Sequence, residues 1–164
     1  MLEGFPPLAG ADARLLILGS MPGDASLQAG EYYAHPRNAF WQIMGAAFGA
    51  GPAKPYPERV ARLQAAGVAV WDVVGRCRRQ GSLDAAIDAA SVEANDFSAF
   101  FRVHRSIERI LFNGAAAEAL FRRHVRPLPP IPLLRLPSTS PANAGMRPAE
   151  KQAIWLAALA LPKS

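Results

Sequence analysis

The chain has one cysteine, Cys77, and three histidines among its 164 residues. A single thiol excludes an internal disulfide and any multi-cysteine metal or iron–sulfur centre. Cys77 lies among arginines in "GRCRR", which would favour a thiolate, but the plainer reading is a buried filler. No apolar run reaches membrane-spanning length, and the first residues lack a basic segment ahead of an apolar one. The expectation is a soluble intracellular protein with no membrane partner. Acidic residues are in deficit, 13 against 18 lysines and arginines, for a formal charge of +5. That balance suits a polyanionic partner such as nucleic acid, or serves only as a solvated basic surface.

A phosphate-binding lysine is missing too. The segment "GSMPG" has the glycines and hydroxyl of a ligand-cradling turn but no Lys-Ser/Thr after it, and not the spacing of a dinucleotide fingerprint. Without a Mg2+-ligand cluster either, a nucleotide-phosphate enzyme is the weakest functional class. What the chain does have is apolar content, 51% hydrophobic residues, with 13 glycines and 15 prolines. This predicts one globular, loop-rich domain over residues 1–164.

Apolar runs alternate with helical patterns. "RLLILG" (Arg14 to Gly19), "VAVWDVV" (Val68 to Val74), "IERILFNG" (Ile107 to Gly114) and "PLLRLPSTS" read as buried strands. Helices are expected over Asn38 to Ala50, with Phe40, Ile43, Met44 and Ala47 on one face, and over "ERVARLQAAG", Phe97 to His104, "AAAEALFRRHV" and "AEKQAIWLAALAL". The alternation predicts an α/β fold, a three-layer α/β/α sandwich around a central, mostly parallel four-stranded sheet. Ligands of such sheets bind beyond the carboxyl ends of the strands. Three strand ends carry unusual loops, "GSMPG", "FNG" and "PSTSPANA", and these tips are expected to meet.

"GSMPG" followed by "YYAHPRNAFW", with "ILFNG" mid-chain and "LPSTSPANA" near the end, resembles the uracil-DNA glycosylase superfamily. The "AHPRNAFW" segment is similar to its mismatch-specific uracil/thymine branch. The Ser-Met pair and "SPANA" look most like the hypoxanthine (deoxyinosine) DNA glycosylases. The resemblance implies monofunctional excision of a deaminated base from damaged DNA, hypoxanthine ahead of uracil or xanthine, by a monomer without metal or other cofactor. The base is flipped out of the duplex and its bond to the sugar is hydrolysed.

Breaking that bond requires a positioned water, donors for the departing base and a polar group beside the sugar cation. Many superfamily members place Asn or Asp at the third position of the first motif. Here Met21 occupies it and cannot align water. The expected catalytic residue is therefore Asn38, with His35 and Asp24 as further candidates; Asn38 also reads as a helix cap, and His35 as a loop brace. This departure keeps open a non-catalytic DNA- or nucleotide-binding domain of the same fold. Base-binding expectations fall on Gly19, Ser20, Met21, Tyr33 and Asn113. Tyr33 is placed to stack on the base, and one tyrosine of the Tyr32–Tyr33 pair is expected to pack inward. Asn113 would read the base edge through its amide, or merely turn the chain before Gly114. Ser138, Thr139, Ser140, Ala142, Asn143 and Arg147 are DNA-binding candidates, with Ala142 to Ala144 entering the gap left by the base. The basic "RCRRQ" is a further DNA-facing candidate.

Overall fold

The computed structural model describes residues 1–143 and 145–160. Four strands, β2 (Leu15–Gly19), β3 (Val68–Asp72), β6 (Arg109–Asn113) and β7 (Leu133–Leu136), form a parallel sheet in the order β3-β2-β6-β7. Every residue of β2 and β3 is buried, and up to the terminal Gly19 and Asp72 both read as apolar runs. The register sets Leu18 beside Trp71 on one side and Phe112 on the other.

Helices cover both faces. Phe97 and Phe100 of α4 (Phe97–Val103) pack on Trp71, and Phe121 of α5 (Ala115–His124) packs on Phe112. Across the sheet, Phe40 of α2 (Phe40–Phe48) meets Trp155 of α6 (Pro148–Leu159) edge to face at 6.5 Å. Both rings are fully buried, each contributing about 1.5–3 kcal/mol through removal from water. Helix α3 (Tyr56–Ala65) lies against α2 and β3. Helix α2 ends where Gly49 takes φ +71, a conformation that strains residues with a Cβ. The three-layer α/β/α sandwich is therefore as expected.

One strand boundary differs. The run Val68 to Val74 is not a single strand: β3 stops at Asp72, and β4 (Val74–Cys77) belongs to a second, antiparallel sheet between β1 (Leu2–Glu3) and β5 (Glu93–Ala94). Val73 and Val74 are both fully buried, so hydrophobicity does not mark where the backbone changes partners. The switch is made by backbone bonds, Val73 N–H to the Gly19 carbonyl and Val74 N–H to that of Ser20. It leaves Asp72 at the strand tip, directly beside Gly19.

Candidate active site

Three strand-end loops meet at Thr139. The Asn113 amide oxygen accepts the Thr139 N–H at 2.9 Å, and its NH2 donates to the Thr139 hydroxyl at 2.9 Å. The Thr139 carbonyl in turn accepts the Ala39 N–H at 3.0 Å, at the start of α2. One residue thus joins the tip of β6, the loop after β7 and the loop between β2 and α2. The roles expected of Asn113 and Thr139 change accordingly. Thr139 is 2% exposed, and its N–H and hydroxyl are engaged by Asn113. Asn113 directs its side-by-side acceptor and donor at Thr139, leaving one amide hydrogen. An amide edge suits a threonine backbone and hydroxyl as well as a base edge.

The meeting point borders a cavity of about 590 Å³. Its lining includes every expected catalytic and base-binding residue, and all the last-loop candidates except Arg147. Arg147 is exposed and precedes α6, and Ala144 lies outside the described residues.

The loop from Gly19 to Asn38 positions its side chains by local bonds. Tyr32 packs inward, its hydroxyl donating to the Pro6 carbonyl at 2.8 Å. Tyr33 takes φ +53, which turns it the other way, against Phe40 with ring centroids 4.1 Å apart and planes at 22°. It also lines the cavity, and among the described residues its buried hydroxyl has no hydrogen-bond partner. The Asn38 side-chain oxygen accepts the Phe40 N–H at 2.9 Å; the N-cap of α2 is Ala39, so Asn38 makes a turn just ahead of the helix while lining the cavity. That bond fixes the amide: oxygen toward the helix start, with a second lone pair and two N–H bonds remaining.

The other candidates are more constrained. His35 Nδ1 accepts the Arg37 N–H at 3.1 Å, bracing the turn. Asp24 is exposed in the first turn of α1 (Asp24–Ala29), 3.8 Å from Arg79. The Ser20 hydroxyl bonds to Asp84. Met21 packs with Val74 and Cys77 in an apolar cluster while touching the cavity.

The sequence reading missed Asp72 and the Ser82–Ala85 segment of the cavity wall. Asp72 is 4% exposed, and its Oδ2 has no hydrogen-bond partner. Burial pushes its pKa up to about 7, with repulsion from Asp84 adding and attraction to Arg79 opposing. A Cβ built on Gly19 would stand 2.5 Å from Asp72 Oδ1 and 2.8 Å from the Tyr33 hydroxyl. Glycine is what lets these two polar groups close over the end of β2. The available signal was an aspartate inside the apolar run "VAVWDVV".

The family model of the uracil DNA glycosylase superfamily matches residues 6–159. The chain belongs to this superfamily. It is 35% identical over 113 residues to a hypoxanthine DNA glycosylase of Methanosarcina barkeri (strain Fusaro / DSM 804), covering 68% of this chain and 70% of that one. A hypoxanthine DNA glycosylase of Methanosarcina acetivorans is 34% identical over 116 residues, 70% and 72% of the two chains. A solution NMR structure from Methanosarcina acetivorans, of a protein provisionally assigned as a uracil DNA glycosylase, superposes with a TM-score of 0.74 at 31% identity, covering 94% of this chain and 96% of that one.

In this superfamily member the arginines of "RCRRQ" are mostly engaged within the fold. Arg76 pairs with Glu3 and Glu93, and Arg78 with Asp88. The Arg79 side chain is wholly buried and donates to the carbonyls of Pro22 and Gly81 at 2.7 and 2.6 Å. Arg79 therefore pins the "GSMPG" turn and is withdrawn from a DNA-facing role. Cys77 is fully buried, and burial raises its thiol pKa, as a filler cysteine should show. No helix among the described residues is long and apolar enough to cross a membrane.

The close approach at Gly19 gives a direct prediction. Gly19→Ala should lower stability by about 1–3 kcal/mol, because the added methyl overlaps Asp72 and Tyr33 inside a packed wall. Urea denaturation measures this. Unchanged stability would show that those side chains swing aside freely.

Proposed function

We propose that the chain is a monofunctional DNA glycosylase that takes a flipped deaminated base, hypoxanthine first, into the cavity at Thr139 and hydrolyses its bond to the sugar. The observation that carries this reading is the placement of Asn38. Its amide is anchored at the wall of a cavity roomy enough for a flipped base, with hydrogen-bonding capacity left over. The names of the two Methanosarcina relatives support hypoxanthine as the base.

Asn38 holds the attacking water through the free lone pair of its oxygen. Tyr33, backed by Phe40, offers a ring for stacking, an interaction worth ~1–3 kcal/mol per base. Ser138, Ser140 and Asn143 stand at the mouth, where hydroxyl and backbone donors suit phosphates, and exposed Ala142 suits entry into the emptied stack. Met21 contributes apolar wall, so the water-aligning task moves from the first motif to Asn38. All these groups lie on one chain, and the reaction needs no second copy.

Duplexes carrying a single hypoxanthine, uracil or xanthine, treated with the protein and then with alkali, test the reading. Strand breaks should appear fastest at hypoxanthine. Duplexes that stay intact while still being bound would overturn catalysis in favour of a DNA-binding domain. Affinity should also fall steeply from 50 to 200 mM salt, since phosphate contacts release counterions.

A further inference from the structure

We infer that Asp72 is a second catalytic residue: its carboxyl group contacts the flipped purine and donates a proton to a ring nitrogen of the departing base. The inference rests on the glycosylase reading and extends it to a residue outside the matched motifs.

Several observations converge on this carboxyl. Asp72 ends β3 beside Gly19, lines the cavity, and is almost wholly buried. Among the described residues no salt bridge neutralises it, and Oδ2 lacks a hydrogen-bond partner. A carboxyl kept in such a place without a structural partner is poorly explained by folding, because buried polar groups are normally satisfied. The adjacent Tyr33 hydroxyl makes no well-formed hydrogen bond among the described residues, its polar neighbour being the Asn113 amide, so it stands with Asp72 at the end of β2. A purine edge, rich in ring-nitrogen and carbonyl acceptors, would satisfy both as donors.

The charged and titratable groups around Asp72 are Asp84 and Arg79 on the 78–88 segment, and Tyr33 and Tyr32 on the first loop. Burial and Asp84 outweigh Arg79, giving a carboxyl that holds its proton up to about pH 7. A general acid works best when its pKa lies near the operating pH. In the step itself, the bond from sugar C1′ to the base breaks and its electron pair leaves with the base. The Asp72 proton moves to a ring nitrogen, so the base departs neutral. Water held by Asn38 adds its oxygen to C1′, and its released proton returns to the Asp72 carboxylate. One water is consumed and the protein is unchanged.

Single-turnover excision of hypoxanthine from pH 5 to 9 tests this with the wild type and Asp72→Asn. The wild-type rate should decline as pH rises through about 7, where the carboxyl loses its proton. Asp72→Asn keeps the shape and a hydrogen-bond donor but has no proton to transfer. It should be tenfold slower or more at pH 6, without the declining limb. Its fold is checked by melting. The folded carboxyl has a raised pKa, so ionisation destabilises the protein progressively from about pH 4 to pH 7. The variant should therefore melt near the wild type at pH 4 and higher above pH 7. An active wild type whose pH limb persists in Asp72→Asn would overturn the inference and leave the glycosylase reading standing. A wild type inactive on hypoxanthine, uracil and xanthine would overturn both.

Discussion

Asn38→Ala should excise hypoxanthine about a hundredfold to a thousandfold more slowly than the wild type while binding the duplex nearly as well. Loss of one preorganised polar group aimed at a reacting centre has effects of that size, about 2.7–4 kcal/mol in the barrier. The bond to Phe40 complicates the comparison, since alanine also removes that acceptor, and loss of one such hydrogen bond costs about 0.5–1.5 kcal/mol of stability. Asn38→Asp separates the two effects. Its carboxylate still accepts the Phe40 N–H and still aligns water, so it should match the wild type in stability and retain much more activity than alanine. Single-turnover rates and melting curves for the three proteins decide the matter. If alanine and wild type turn over equally, the water lies elsewhere, with His35 and Asp24 next in line.

Asn113→Ala should be the most destabilising of the site substitutions, by about 3 kcal/mol in urea denaturation. It removes two hydrogen bonds and leaves the Thr139 N–H and hydroxyl unpaired where Thr139 is 2% exposed. Each buried group left without a partner costs about 1–3 kcal/mol. A double-mutant cycle with Thr139→Ala should show coupling of at least ~0.5 kcal/mol, because the two residues share their bonds. Simple additivity would mean that the pair does not hold the loops together. A fall in activity beyond the loss of folded protein would give the remaining Asn113 hydrogen a part in reading the base.

Much of the frame was legible because full burial leaves a simple trace. Leu15–Leu18 and Ile110–Phe112 read as strand cores since sheet residues covered on both faces are apolar without interruption. The meeting of three loops followed from the rule that parallel strands point their carboxyl ends the same way. What escaped were choices among equivalent partners. Val73 and Val74 are apolar in either sheet, so the change of sheet, and with it the exposure of Asp72 to the cavity, has no mark in hydrophobicity. The arginines of "RCRRQ" look alike in sequence, yet Arg79 turns inward to carbonyl groups while Arg76 and Arg78 lie at the surface. Asn113 finds a threonine 26 positions away, a pairing that spacing alone does not announce.

The knot at Thr139 has a consequence for how the protein chooses its substrate. The walls of the cavity are fastened to one another across the whole chain, from Ala39 to Asn113 to Thr139, so the receiving side has little room to reshape itself around a visitor. Under the proposed function, the distortion needed for capture then falls on the DNA. Pulling a nucleotide from its stack is least costly where pairing is already poor. A stiff receptor of this kind selects twice, first for pairs that open readily and then for bases that fit, and the weakness of a damaged pair becomes part of what is recognised.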